Sequence, residues 1–155
     1  MRDNGRGIPT DIHPRERMSA AEFVITRLHG AVAFSQDNQK MPDASPGIGL
    51  AVVNALSEVF DLRVWRNGKE YFMRCHMGEP DARIAVVGTA DQPDGNLRRG
   101  TEITFLPSSS IFKKTEFDFT TVEQRLHGLA SLNVGVTVVL SDRRGIESKE
   151  IVLDL

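Results

Sequence analysis

The alternation of apolar and polar residues that begins at Phe60 is the feature that most restricts how this chain can fold. The alternating apolar residues are Phe60, Leu62 and Val64, followed later by Tyr71, Met73 and Cys75. Asn67-Gly68 lies between the two sets. Asn-Gly is a strong signal for a two-residue type I′ turn, because both central residues of that turn need a positive φ. The sequence therefore predicts two antiparallel strands joined by a tight hairpin.

Helices and further strands are predicted in blocks around this hairpin. Ser19-Ala20-Ala21-Glu22 is a capping box, and it predicts a helix that ends near His29 with Ala20, Val24 and Leu28 on its buried face. Helices are also expected over residues 47–59, with Val52, Ala55, Leu56 and Val59 inward, and after a second capping box at residues 120–123. Further strands are expected at residues 83–87, 101–105, 134–140 and 151–155. This order favours an α+β fold, a two-layer sandwich in which a mixed, mostly antiparallel sheet carries helices on one face.

Composition places few limits on function. The 155 residues fit one domain, residues 1–155, and a net charge of −2 gives no bulk attraction to nucleic acid. The basic pairs Arg98-Arg99 and Arg143-Arg144 are interpreted as solvated loop tips. Cys75 is the one cysteine, which excludes an internal disulfide and a cysteine metal cluster and agrees with a reducing cytoplasm. No signal peptide and no apolar run of membrane-spanning length is present, so no membrane partner is expected.

Residues 3–9, Asp-Asn-Gly-Arg-Gly-Ile-Pro, predict an irregular turn. Gly5 and Gly7 allow a positive φ and a close approach of the backbone to a ligand, and Pro9 fixes the φ that follows. The Asp3 carboxylate beside this turn suits the amino edge of a planar ligand such as adenine. A plain turn without a ligand is the alternative.

A second glycine-rich stretch, Gly47-Ile48-Gly49-Leu50, opens the second predicted helix. Free N–H groups and the positive end of the helix dipole attract anions at such a helix start. The alternative is that these glycines only allow tight helix packing. A third piece, Gly100-Thr101, begins an apolar strand.

These three pieces, in this order, resemble the ATP-binding domain shared by the B subunits of DNA gyrase and topoisomerase IV, Hsp90, MutL and sensor histidine kinases. The detailed similarity is to the B subunits of type IIA topoisomerases, because Val52-Val53-Asn54-Ala55-Leu56-Ser57 is found in few other families. The resemblance covers essentially the whole chain and implies the Bergerat-type ATP-binding fold. It leaves open whether gyrase or topoisomerase IV is nearer.

The resemblance implies a nucleotide site and a set of partners. The implied ATP-binding residues are Asp3, Gly5, Arg6, Gly7, Ile8, Pro9, Gly47, Ile48, Gly49, Leu50, Arg66 and Thr101. Arg66 would lie at the rim of the adenine pocket, although an exposed arginine at a strand end explains it equally well. ATP and Mg²⁺ are the implied cofactors. In an intact enzyme the partners would be DNA, the A subunit and a second B subunit.

The chain departs from the family pattern at two places. The lid expected at residues 30–46 has Ala33 where the family has a lysine, and residues 43–46 replace a glycine-rich string. The family's Mg²⁺-binding and catalytic helix, with its Glu and Asn, would precede the turn, where only Met1 and Arg2 stand. We therefore expect an ATP-binding domain that lacks its N-terminal strand and helix and holds no catalytic or metal-binding residue.

Two functions follow as expectations. The first is the ATP-binding portion of a type IIA DNA topoisomerase B subunit, which drives supercoiling or decatenation in the intact enzyme while this piece alone is inactive. The alternative is a degenerate remnant or interaction module that binds nucleotide weakly or not at all.

Overall fold

The structure, a computed structural model, describes residues 1–12, 16–28, 49–130 and 135–154. The helices are α1 (Ala20–Thr26), α2 (Gly49–Ala55) and α3 (Phe119–Ala130). The strands are β1 (Ser57–Arg66), β2 (Lys69–His76), β3 (Glu79–Pro80), β4 (Ala85–Thr89), β5 (Gly100–Pro107), β6 (Thr137–Asp142) and β7 (Lys149–Asp154). The chain divides into two compact units, Met1–Thr115 and Glu116–Leu155. The single domain expected from length stays a prediction.

The hairpin predicted at Asn67-Gly68 is confirmed and forms the centre of the sheet in the first unit. Asn67 has a φ of 51° and Gly68 a φ of 73°, as a type I′ turn requires. Arg66 pairs with Lys69 across the turn, so β1 and β2 are joined by a two-residue loop. The strand order is β3-β2-β1-β5, with β4 also paired to β2, and every described strand pair is antiparallel.

Alternate residues of the central strands form the core of this unit. Phe60, Leu62 and Val64 of β1 are fully buried. They pack with Met73 and Cys75 of β2, Ile103 of β5, and Ala21 and Ile25 of α1. The pKa of the Cys75 thiol is raised to about 11, chiefly because burial disfavours the thiolate. The helices of this unit therefore cover one face of the sheet, as the α+β prediction requires.

The capping box of α1 is confirmed, but the predicted buried face is right only in part. Ser19 Oγ accepts from the N–H of Glu22, and Glu22 Oε2 accepts from the N–H of Ser19, both at 3.1 Å. The helix ends at Thr26, because Arg27 is extended, so Leu28 lies beyond it and is 63% exposed. Ala20 is buried as predicted, Val24 is half-buried, and the other buried residues are Ala21, Glu22 and Ile25.

Helix α2 is shorter than predicted, and its buried residues differ from the expected ones. It ends at Ala55, and residues 57–59 already belong to β1. Val52, expected inward, is 37% exposed, whereas Asn54 is fully buried. Asn54 Nδ2 donates to the carbonyl oxygen of Ile25 at 2.8 Å. This bond ties α2 to the last turn of α1, whose carbonyls lack partners within the helix.

The second unit contains α3 and the antiparallel pair β6–β7, in which Val139 lies opposite Val152. The predicted capping box at residues 120–123 is wrong. Asp118 caps the helix instead, because its Oδ1 accepts from the N–H of Thr121 at 2.8 Å. The expected strands at residues 134–140 and 151–155 are shifted to Thr137–Asp142 and Lys149–Asp154. Similarly, in the first unit, the strand expected at residues 83–87 lies at Ala85–Thr89.

Arg144 of the second unit is exposed in the loop between β6 and β7, as predicted, and it also makes several hydrogen bonds. Its guanidinium donates to both carboxylate oxygens of Asp142, at 2.9 and 2.5 Å, and to the carbonyl oxygen of Phe117 at 2.6 Å. This pairing lowers the pKa of Asp142 to about 2, mainly through the side-chain hydrogen bond.

Among the described helices, none is long and apolar enough to cross a membrane.

We predict that Asn54→Ala destabilises the protein by about 1–3 kcal/mol, because a buried carbonyl oxygen at Ile25 loses its donor. The measurement is the free energy of unfolding in urea. Asn96→Ala is the control. It removes an exposed side-chain amide that donates to Asp94, so it should stay within about 0.5 kcal/mol of the unchanged protein. Equal stability of the Asn54→Ala variant would contradict this account.

Candidate functional site

The turn at residues 3–9 is fastened to the first residues of β5. The N–H of Asp3 donates to the carbonyl oxygen of Thr101 at 2.9 Å. The N–H of Ile8 donates to Thr101 Oγ1 at 3.1 Å, so both ends of the turn are held by one residue. Thr101 is 5% exposed, because it lies on the buried side of the sheet edge. The structure thus brings together two residues that stand 98 positions apart in the sequence.

The carboxylate of Asp3 is held through one of its two oxygens. Oδ1 accepts from the N–H of Gly5 at 2.9 Å and from the N–H of Thr101 at 3.2 Å. Oδ2 accepts no hydrogen bond from any residue that the structure describes. A carboxylate fixed in this way keeps a free acceptor in a set position, and hydrogen bonds to charged groups are stronger than neutral ones.

Two glycines make this close packing possible. Gly7 has a φ of 74°, and a Cβ placed there would lie 2.9 Å from the carbonyl oxygen of Trp65. Gly100 has a φ of 125°, and a Cβ there would lie 2.0 Å from the carbonyl oxygen of Asp3. Gly5 has no positive φ, so of the two glycines in the turn only Gly7 uses the predicted freedom. The role of Gly5 is to donate its N–H to Asp3.

Arg66 links the hairpin to the same turn. Its Nη1 donates to the carbonyl oxygens of Arg6 and Gly7, at 3.1 and 2.9 Å. The side chain is half-buried, and its Nε is buried without a partner among the described residues. Arg66 is therefore part of the turn's support, and its interpretation as a simple exposed arginine at a strand end is wrong.

The remaining predicted site residues are only partly described. Ile8 and Leu50 both pack against the core of the first unit, which brings the turn and the start of α2 onto the same hydrophobic cluster. Gly49 is the first residue of α2, and Pro9 is exposed. Gly47, Ile48 and the predicted lid at residues 30–46 lie outside the described residues, as does His29.

Sequence reasoning missed a contact beside this site. The guanidinium carbon of Arg98 lies 3.6 Å from the centre of the Trp65 ring, and Trp65 is 3% exposed. A cation stacked on an aromatic ring at this distance is a favourable electrostatic contact. The interpretation of Arg98 as a solvated loop tip is therefore wrong. No local sequence signal could have revealed the contact, because Trp65 belongs to β1 and Arg98 to the loop before β5.

The turn offers a hydrogen-bond acceptor to a ligand. Asp3 Oδ2 is a free acceptor beside an exposed turn, and an exocyclic amine is the complementary donor. No group of three or more His, Cys, Asp or Glu side chains among the described residues could hold a metal ion.

Known proteins resemble this chain over most of its length. Residues 1–111 match the family described as histidine kinase-, DNA gyrase B-, and HSP90-like ATPase. The chain is 49% identical over 149 residues to the DNA gyrase B subunit of Rickettsia felis, covering 96% of this chain and 18% of that protein. It is 45% identical over 150 residues to the DNA gyrase B subunit of Synechocystis, covering 96% of this chain and 13% of that protein.

A solved structure is similar to this chain in fold as well as in sequence. The crystal structure of the 43K ATPase domain of Thermus thermophilus gyrase B, in complex with an aminocoumarin, matches with a TM-score of 0.77 and 37% identity. The match covers 99% of this chain and 36% of that chain.

The chain belongs to the histidine kinase-, DNA gyrase B- and HSP90-like ATPase family. Within this family its similarity is to the ATPase region of gyrase B subunits, as the resemblance in the sequence implied, and the α+β class is confirmed. The chain spans less than a fifth of the length of the curated relatives described above.

We predict that Gly100→Ala disrupts the site and destabilises the fold by more than about 2 kcal/mol, because the new Cβ would collide with Asp3 at a φ that suits only glycine. Urea unfolding measures the loss. Gly128→Ala is the matched control, since a Cβ there meets nothing within 4 Å on helix α3. It should stabilise the protein by about 0.5–1 kcal/mol. A Gly100→Ala variant as stable as the unchanged chain would show that the turn is not held as described.

Proposed function

We propose that this chain binds ATP, with the amino group of adenine donating to Asp3 Oδ2. The observation that carries the proposal is the carboxylate of Asp3, whose Oδ1 is fixed by two backbone N–H groups while Oδ2 is left free among the described residues. Thr101 supports the proposal, because its Oγ1 already accepts from Ile8 and its hydroxyl proton remains available to donate. These groups would select a planar ring with a donor beside an acceptor.

The full set of residues that we assign to the nucleotide is the one implied by the resemblance. It comprises Asp3, Gly5, Arg6, Gly7, Ile8, Pro9, Gly47, Ile48, Gly49, Leu50, Arg66 and Thr101. The first six form the turn, Arg66 and Thr101 hold it, and the segment 47–50 would face the phosphates. Support for the phosphate end comes from the sequence, while support for the adenine end also comes from the contacts of Asp3 and Thr101.

In the intact protein, we propose, this chain is the ATP-binding portion of a type IIA DNA topoisomerase B subunit, located in the cytoplasm. ATP hydrolysis would there drive changes in DNA topology together with DNA, an A subunit and a second B subunit. The support is the identity of 45–49% to the gyrase B subunits named above and the match of the fold to a gyrase B ATPase domain. Mg²⁺ would arrive with the nucleotide, bound to its phosphates.

The 155-residue chain by itself would bind the nucleotide without hydrolysing it. Hydrolysis needs a group that orients the attacking water and donors for the developing charge on the phosphate. The sequence has no Glu-x-x-x-Asn pair at helical spacing to supply the family's catalytic helix. Asn54 is no substitute, because it is buried and bonded to Ile25.

The alternative is a remnant of this family that has lost nucleotide binding and serves as an interaction module. The sequence observations in its favour are Ala33 and residues 43–46, which depart from the family's lid. Direct titration with nucleotide separates the two proposals.

We predict that a non-hydrolysable ATP analogue binds the chain with one-to-one stoichiometry in isothermal titration calorimetry. Asp3→Asn should weaken binding about tenfold, because a neutral acceptor replaces a charged one. Asp91→Asn removes an equal charge from an exposed loop of the same unit and should change the affinity by less than about twofold. Equal loss in both variants, or no binding at all, would favour the interaction module.

We also predict that the chain releases no phosphate from ATP in a coupled assay, although the analogue binds. The same assay on Asp3→Ala gives the background rate, since that variant loses the adenine contact. Steady turnover that Asp3→Ala abolishes would refute the proposal that this chain lacks the catalytic groups.

A further inference from the structure

A pocket beside the adenine-type turn has an unusual concentration of positive charge. Its volume is about 310 Å³, and its lining residues are Arg6, Arg66, Asn67, Gly68, Leu97, Arg98 and Arg99. Four of the seven are arginines, and the lining contains no aspartate or glutamate. The whole chain has a net charge of −2, so this local charge is not a property of the surface in general.

The four arginines come from three separate parts of the first unit and are not neutralised within it. Arg6 belongs to the turn, Arg66 to the end of β1, and Arg98 and Arg99 to the loop before β5. None of them makes an ion pair with a carboxylate in the part of the chain that the structure describes. Like charges gathered around a pocket repel each other, and a bound anion would remove that repulsion.

Two of the arginines are held in place by neutral groups, which leaves their charge available. Arg66 uses Nη1 for the carbonyl oxygens of Arg6 and Gly7, while its Nη2 has no partner among the described residues. Arg98 is stacked on the buried ring of Trp65. Side chains that are already ordered lose less conformational entropy when they bind a ligand.

We propose that this four-arginine pocket binds a small polyanion of the class of pyrophosphate or a phosphate ester. Planar guanidinium groups match the paired oxygens of phosphate, and several can share one such ligand. The volume suits a compact ligand better than an extended chain. The pocket shares Arg6 and Arg66 with the proposed nucleotide site but does not include Asp3 or Thr101.

The test is calorimetric titration of the full 155-residue chain with inorganic pyrophosphate at a fixed salt concentration. We expect saturable binding at one site, weakened about tenfold by Arg99→Gln, since that variant removes one charge-assisted contact. Arg99 is exposed and makes no described hydrogen bond, so the variant should fold normally. Arg98→Gln serves as a second variant and should weaken binding to a similar extent.

Arg125→Gln is the matched control, because it removes one exposed arginine from α3 in the other unit. It should leave pyrophosphate affinity within about twofold of the unchanged chain. Arg99→Gln should leave the affinity for the ATP analogue within about twofold of the unchanged chain, because Arg99 is not among the residues assigned to the nucleotide, so the two proposals can fail independently.

Three results would overturn the proposal. The first is no saturable binding of pyrophosphate. The second is an equal loss of affinity in Arg99→Gln and Arg125→Gln, which would indicate attraction by net charge alone. The third is displacement of pyrophosphate by a short DNA duplex that binds more tightly and loses affinity in Arg99→Gln, which would make the pocket part of a nucleic-acid surface.

Discussion

The rest of the site depends on two hydrogen bonds that one carboxylate oxygen of Asp3 accepts from backbone N–H groups. They join the turn to the first residues of β5 and fix the direction of the second oxygen. The arrangement requires Gly100, since any side chain there would occupy the space of the Asp3 carbonyl. A flexible loop is thereby converted into a rigid acceptor, which binds a complementary donor at a lower entropic cost.

The hydrophobic core holds in place the strand that carries Thr101. β5 lies against β1 with Ile103 opposite Leu62, and both side chains are buried. A shift of one residue in this register would turn Ile103 toward solvent, so the core fixes where Thr101 meets Asp3. Ile8 packs on the same cluster and anchors the far end of the turn. Apolar packing of β5 and Ile8 therefore helps to position the polar site.

Sequence patterns with a local cause were mostly reliable, although the capping box predicted at residues 120–123 was wrong. The hairpin at Asn67-Gly68, the alternation of β1 and β2, and the capping box at Ser19 depend on neighbouring residues and were predicted correctly. The buried faces of the helices were predicted only in part, because they depend on where each helix ends. α1 ends before Leu28, and α2 buries Asn54, whose Nδ2 donates to a carbonyl oxygen on another helix.

In the candidate site, too, features with a local cause were predictable and features that join distant residues were not. The turn itself could be recognised from its glycines and proline, but its pairing with Thr101 followed from the resemblance to a family and not from spacing, since the two residues are far apart in the chain. The stacking of Arg98 on Trp65 and the grouping of Arg6, Arg66, Arg98 and Arg99 had no sequence signal at all. These contacts arise only when the end of β1 and the start of β5 are side by side in the sheet.

The central claim, that the adenine ring binds at the Asp3 turn, is tested most directly by intermolecular nuclear Overhauser effects on the chain bound to a non-hydrolysable ATP analogue. We expect effects between the adenine ring protons and the methyl groups of Ile8 and Thr101, because the N–H of Ile8 and the hydroxyl oxygen of Thr101 form one hydrogen-bonded unit at this turn. A bound nucleotide whose ring protons show effects only to residues outside this turn and β5 would contradict the account.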